Sequence, residues 1–256
     1  VKIDAPRLRA LFWERNYVTE KSWLENLGAI DEASVGFFIT RHVPTPWKPW
    51  SASSLLSGLS QARCLSLDCQ CAEVVASRRI HSPPPTIKQA LPLTCFHSQV
   101  LSDRTASKGL LGLFKCRELH IKINNKSITS LARIFGSFPL VETLTIQLTD
   151  DDYKTREREA EDYGLGSEEE GPWESPNRHL GSFLDHLKMV KLEGSLDFVD
   201  AEVGPAKLLV RHGGALREMI LCSGRRCARD SNRREKIRAE MTGFPWASPD
   251  AKILFQ

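Results

Sequence analysis

Three short segments carry side chains suited to holding another molecule: Glu118, His120 and Lys122; Thr143, Thr145 and Gln147; and Met189, Lys191 and Glu193. Within each segment the residues stand two apart, the spacing that puts side chains on one face of a β-strand. Carboxylate, imidazole, ammonium, hydroxyl, amide and thioether groups in that arrangement suit charge pairing and hydrogen bonding with a partner. They do not suit catalysis. The chain holds no Gly-x-Ser-x-Gly elbow, no Gly-x4-Gly-Lys-Ser/Thr phosphate loop and no His-Glu-x2-His helix. No nucleophile can be given both a base and a third group to orient that base. The expectation is a binding protein with no catalytic residue.

Metal chemistry has little to stand on in the sequence. Cys69-x-Cys71 and Cys222-x4-Cys227 are close cysteine pairs, and neither has the two-residue spacing of a zinc knuckle. His81, His97 and His120 bear no fixed relation to them. Cys64 and Cys116 fall in strand-like segments, where cysteine reads as a small apolar filler. Asp150, Asp151 and Asp152 lack the glycine and distal glutamate of a calcium loop and read as a solvated turn. No metal and no cofactor is therefore expected. The basic run Arg225, Arg226, Arg229, Arg233, Arg234, Lys236 and Arg238 has the charge to meet phosphates. It contains no aromatic residue for base stacking, so it reads as the solvated face of a helix rather than a nucleic-acid seat.

The elements that must position the recognition residues recur along the chain. Seven segments share the spacing apolar-x-x-apolar-x-apolar: Leu8–Leu11–Trp13, Val35–Phe38–Thr40, Ala62–Leu65–Leu67, Cys116–Leu119–Ile121, Val141–Leu144–Ile146, Leu187–Val190–Leu192 and Leu216–Met219–Leu221. Their middle positions are separated by 27, 27, 54, 25, 46 and 29 residues. A period of 25 to 29 residues falls in the leucine-rich-repeat range, in which each unit buries its strand only by stacking on its neighbours. The gap of 54 is two periods and places an unseen repeat near residue 92. The gap of 46 is one period plus an insertion.

Return segments fit the same plan. Ile128, Leu131, Ala132 and Phe135 fall on one helical face, with Ser127 placed to cap its start and Gly136 its end. The stretch 205–212 has Pro205 at the first helical position and Gly213–Gly214 at its close. Residues 228–242 suggest a basic helix with Ile237 and Met241 as its buried contacts. Ala251, Ile253 and Phe255 alternate as in a terminal strand. These signals give an α/β fold: a leucine-rich-repeat solenoid with a parallel sheet, and a compact unit at its C-terminal end.

Bulk properties agree. The 256 residues are 41% hydrophobic and 26% charged, enough for a sizeable core and too apolar for wholesale disorder. No apolar run is long enough to span a membrane, so no membrane partner is expected. Seven cysteines, an odd number in a chain of this size, point to reduced thiols in cytoplasm or nucleus. The net charge of +3 hides an acidic stretch, 149–176, with eleven acidic against three basic side chains. That stretch, with Gly164, Gly166, Gly171, Pro172 and Pro176, reads as a disordered insertion. The domain plan is repeats over 1–150, with 76–109 degenerate around Pro83–Pro84–Pro85, an acidic insertion over 151–178, and the last repeats with a closing domain over 179–256.

At these residues the chain resembles the plant F-box proteins that carry leucine-rich repeats followed by an FBD domain. The matching phrases are Ala5 to Leu11, Phe138 to Leu144, His186 to Leu192 and Gly214 to Leu221, with Ser248 to Ile253 similar to the FBD ending. The resemblance implies an FBD-like cap for 179–256 and an adaptor function, in which the repeats hold a protein substrate for an SCF-type ubiquitin ligase. It implies SCF subunits as partners only where an F-box is present in the full-length chain. Nothing upstream of Ala5 has room for that module. The rival reading is a stand-alone or truncated leucine-rich-repeat binding protein without ligase contact.

Overall fold

Residues 143–149 read Thr-Leu-Thr-Ile-Gln-Leu-Thr, an alternation that can bury one face of a strand and leave the other in water. In a computed structural model of the chain this segment is a strand with Leu144, Ile146 and Leu148 buried and its threonines and Gln147 half-buried. The structure describes residues 2–17, 23–38, 52, 55–76, 114–124, 131–149, 180–194, 199–223 and 231–256.

Ten strands are described: β1 Lys2–Asp4, β2 Ala10–Tyr17, β3 Trp23–Glu25, β4 Glu32–Phe38, β5 Cys64–Leu67, β6 Glu118–Asn124, β7 Thr143–Thr149, β8 Met189–Gly194, β9 Glu218–Ser223 and β10 Lys252–Phe255. Between them lie helices α1 Cys69–Ala76, α2 Leu131–Phe135, α3 Gly181–His186, α4 Val199–His212 and α5 Ser231–Thr242. Eight strands form one sheet in the order β10-β9-β8-β7-β6-β5-β4-β2, and every neighbouring pair is parallel. β1 and β3 form a separate parallel pair that the repeat pattern gave no sign of.

Stacking brings the leucine positions of successive strands into direct register. Leu65 faces Leu119, Leu119 faces Leu144, Leu144 faces Val190, and Val190 faces Met219. All five are fully buried. A second row, Leu67, Ile121, Ile146, Leu192 and Leu221, lies beside the first. Leu131, Ile134 and Phe135 of α2, Phe183 and Leu184 of α3, and Ala206, Leu209 and Val210 of α4 join the same core. The rings of Phe135 and Phe183 stack with centroids 4.5 Å apart, tying one return helix to the next.

Six successive junctions of the sheet share one entry pattern. The carbonyl of the residue just before a strand accepts two backbone N–H groups from the next one: Arg9, Asp31, Arg63, Arg117, Glu142 and Lys188 all do so, at 2.8–3.2 Å. Asp68 immediately precedes α1, and its carboxylate accepts the Cys71 N–H at 2.8 Å, satisfying one of the donors a helix start leaves unpaired. Gly36 makes room for that carboxylate, since a Cβ there would sit 2.9 Å from an Asp68 oxygen. β2 is an edge strand with a bulge between Trp13 and Asn16, where Arg15 takes φ 56°.

Three expectations need correction. The second repeat aligns on Ile30, Ala33 and Val35, because Ala33 faces Leu11 on one side and Leu65 on the other; the pattern Val35–Phe38–Thr40 is out of register. A small alanine fills the core position there, and the bulkier Phe38 drew the pattern away. β5 pairs directly with β6, so no strand from near residue 92 stands between them. Pro205 lies inside α4, which begins at Val199, and is not its first residue. α2 is described from Leu131, and Leu131 and Phe135 of its expected apolar face are buried together with Ile134. Residues 77–113 and 150–179, which hold nearly all of the degenerate repeat and the whole acidic insertion, lie outside the described residues. So do Ser127, His81, His97, Arg225, Arg226, Arg229 and Cys227. As expected, Ile237 and Met241 are the buried contacts of α5, and β10 pairs parallel with β9. Among the described residues no helix is long and apolar enough to cross a membrane.

Candidate functional site

The sheet's outward face carries the residues that alternate with the buried rows. Strand register assembles the nine sequence candidates into one patch. Glu118 lies opposite Thr143 and Thr143 opposite Met189; His120, Thr145 and Lys191 form a second row; Lys122, Gln147 and Glu193 form a third. All nine are half-buried or exposed, with Lys122 the most open in character. The middle row continues on both sides, through Ser66, Ser34 and Phe12 to one edge and through Ile220 and Leu254 to the other. Phe12 and Leu254 are exposed large apolar side chains, at 65% and 41%. The face is thus polar at its centre with apolar residues at its margins.

Charges on this face are paired locally. Lys191 and Glu193 form an ion pair at 2.6 Å, which raises the lysine pKa through its hydrogen bond to the carboxylate. Glu118 accepts from Arg63 at 3.0 Å, and Arg63 also holds Asp31 at 2.9 Å. The Arg63 hydrogen bond lowers the Asp31 pKa. At the entry end of the sheet Glu142 bridges Arg117 at 2.9 Å and Lys188 at 2.6 Å, and the Lys188 hydrogen bond holds its pKa below the ordinary value. Apart from Lys191 and Glu193, which share β8, these pairs join residues from different rungs, so charge as well as apolar packing locks the register.

The cysteines divide by face. Cys116 is fully buried, and burial pushes its thiol up to about 12. Cys71 is likewise buried, with a pKa raised well above the ordinary thiol value by loss of solvation. Cys64 is not the core filler that its place in a strand suggested. It stands on the outward face, opposite Glu32 on one side and Glu118 on the other. Partial burial and then those two carboxylates raise its pKa. Cys64, Glu118 and His120 lie close enough together to share an ion. The signal for this was present in the spacing, since Cys64 precedes the core position Leu65 as Glu118 precedes Leu119.

The chain is similar over its whole length to a curated protein of Arabidopsis thaliana named as an F-box/FBD/LRR-repeat protein. The two are 32% identical over 257 aligned positions, which take in 100% of this chain and 47% of that relative. By this likeness the chain is a relative of that protein. It spans about half the length of the curated relative it matches. No protein-family model matches the chain, and no solved structure matches it. The likeness agrees with the α/β architecture and its eight-stranded parallel sheet.

Proposed function

We propose that these residues form a leucine-rich-repeat solenoid closed by an FBD-like unit from about residue 179, and that its outward sheet face recognises a protein. Within that face the partner-binding residues are Glu118, His120, Lys122, Thr143, Thr145, Gln147, Met189, Lys191 and Glu193. The observation that carries this reading is the in-register parallel pairing of strands that follow one another in sequence. Such stacking makes a broad surface from short repeats, and repeat proteins use surfaces of this kind to bind other proteins. Similarity to a protein named for an F-box, an FBD domain and leucine-rich repeats supports the further step. In that step the chain is the substrate-holding part of an SCF-type ubiquitin ligase adaptor, with ligase subunits bound through an F-box. It is a binding module and not an enzyme.

Affinity capture from plant extract tests the recognition face. The chain serves as one bait and its Lys122→Glu, Lys191→Glu variant as the other. A recognised protein should be retained by the first and lost about tenfold or more by the second, which corresponds to about 1.4 kcal/mol, while both baits unfold at the same temperature. Equal retention would remove the face from the reading. Ligase contact is tested separately: a longer chain carrying an F-box should co-purify with cullin-ligase subunits, and residues 1–256 alone should not. Failure of the longer chain would leave the stand-alone binding protein as the better account.

A further inference from the structure

Two neighbouring rungs of the sheet bring together three donors, of which the recognition reading uses Glu118 and His120 and leaves Cys64 aside. β5 and β6 pair with Cys64 opposite Glu118 and Ser66 opposite His120. The thiol, the carboxylate and the imidazole all lie on the outward face, and their donor atoms are within 4.8 Å of one another. Zinc bond lengths of about 2.0–2.3 Å separate tetrahedral ligand atoms by about 3.5 Å. Side-chain rotation of about an ångström therefore closes the set on one ion, with the backbone held by the ladder on both sides.

The surroundings favour a cation. Arg63 donates to one carboxylate oxygen of Glu118 at 3.0 Å, and a carboxylate has a second oxygen to offer. The positive charge of Arg63 is itself met by Asp31. Glu32, directly opposite Cys64, adds negative charge beside the thiol. Among the described residues neither the Cys64 thiol nor the His120 ring makes a hydrogen bond, so both keep their lone pairs for a ligand. One sulfur, one nitrogen and one oxygen donor suit zinc-class ions; magnesium and calcium prefer oxygen alone.

We propose that Cys64, Glu118 and His120 bind one divalent cation of the zinc class, leaving a fourth position open to water or to a donor from a bound partner. Binding converts the thiol to a thiolate and releases its proton to solvent. The site stands whether or not the surrounding face recognises a protein.

Cobalt titration of the reduced, metal-free full chain tests it, with Co2+ alone as the probe. The expected result is a near-ultraviolet sulfur-to-cobalt charge-transfer band that saturates at one equivalent and disappears on adding one equivalent of Zn2+. Cys64→Ser should abolish the band, and His120→Ala should weaken cobalt binding about tenfold or more, a loss on the scale of removing a supporting group from a metal site. Cys222→Ser, which alters another half-buried strand thiol, should leave the band intact. Circular dichroism of each variant confirms that the fold is kept, as expected for outward-facing positions. Absence of the band in the folded chain, its survival in Cys64→Ser, or unchanged affinity in His120→Ala would each overturn the assignment.

Discussion

At the residue scale, the fold rests on single apolar side chains repeated in place. Leu144 packs between Leu119 and Val190 and is fully buried. Leu144→Ala should lower stability by about 2–5 kcal/mol, through lost transfer energy and the cavity left between two rungs; urea unfolding measures it. Glu142 makes a prediction of a different kind. Its pKa is depressed in the fold, chiefly by the Lys188 hydrogen bond, so its contribution is present above the ordinary value of 4.5 and is lost as pH falls through the depressed one. Glu142→Gln should therefore lower the urea midpoint at neutral pH. The difference from the parent chain should shrink with acidification and vanish once the carboxyl is protonated in both states. At this scale the sequence was readable wherever core and surface alternate cleanly, as in 143–149. Cys64 was misjudged because residue type was weighed above its odd position in the alternation.

At the element scale, strands were more legible than the segments that return between them. A strand's period of two shows in five residues, and β6, β7, β8 and β9 all follow it. β4 departs because Ala33 and Gly36 are small where the pattern rewards bulk, and Gly36 is small to admit the Asp68 carboxylate. α4 departs because proline has a strong preference for a first helical position, and that preference hid the residues from Val199 that precede it. The end of α4 gives a paired test. The Gly213 N–H donates to the Leu209 carbonyl at 2.8 Å, and a Cβ on Gly213 would lie 2.6 Å from that same oxygen. Gly213→Ala should cost about 1–3 kcal/mol as an overpacked substitution. Gly214→Ala, where a Cβ meets nothing within 4 Å, should change stability by less than about 0.5 kcal/mol. Thermal unfolding of the two variants side by side decides whether the tight turn or the glycine pair as such closes the helix.

At the scale of the whole molecule, the parallel sheet was visible in the recurrence of one spacing, although its exact count was not. The inference of a rung near residue 92 treated a gap of two periods as two units, whereas β5 meets β6 directly. Spacing measures chain length between rungs and says nothing of what the chain does on the way. The same lesson bears on the acidic stretch. β7 and β8 pair directly, from Thr143 opposite Met189 to Gln147 opposite Glu193, so the residues between them add no rung. Removing 153–176 leaves seven residues between β7 and α3, close to the six that join β6 to α2. That deletion should shift the melting temperature by only a few degrees, since loop length enters stability through a logarithm. The period of two puts the nine candidates on alternate positions of β6, β7 and β8, and the register of those three parallel strands sets them in three rows.

Site-specific photo-crosslinking tests most directly whether the outward face is the recognition surface. A photoreactive residue replaces Thr145, the centre of the three rows, in one protein and Lys236, exposed on α5, in another. Both are irradiated in plant extract. The account predicts a discrete adduct with one protein at position 145 and none at position 236. An adduct at 236 with none at 145 would contradict it.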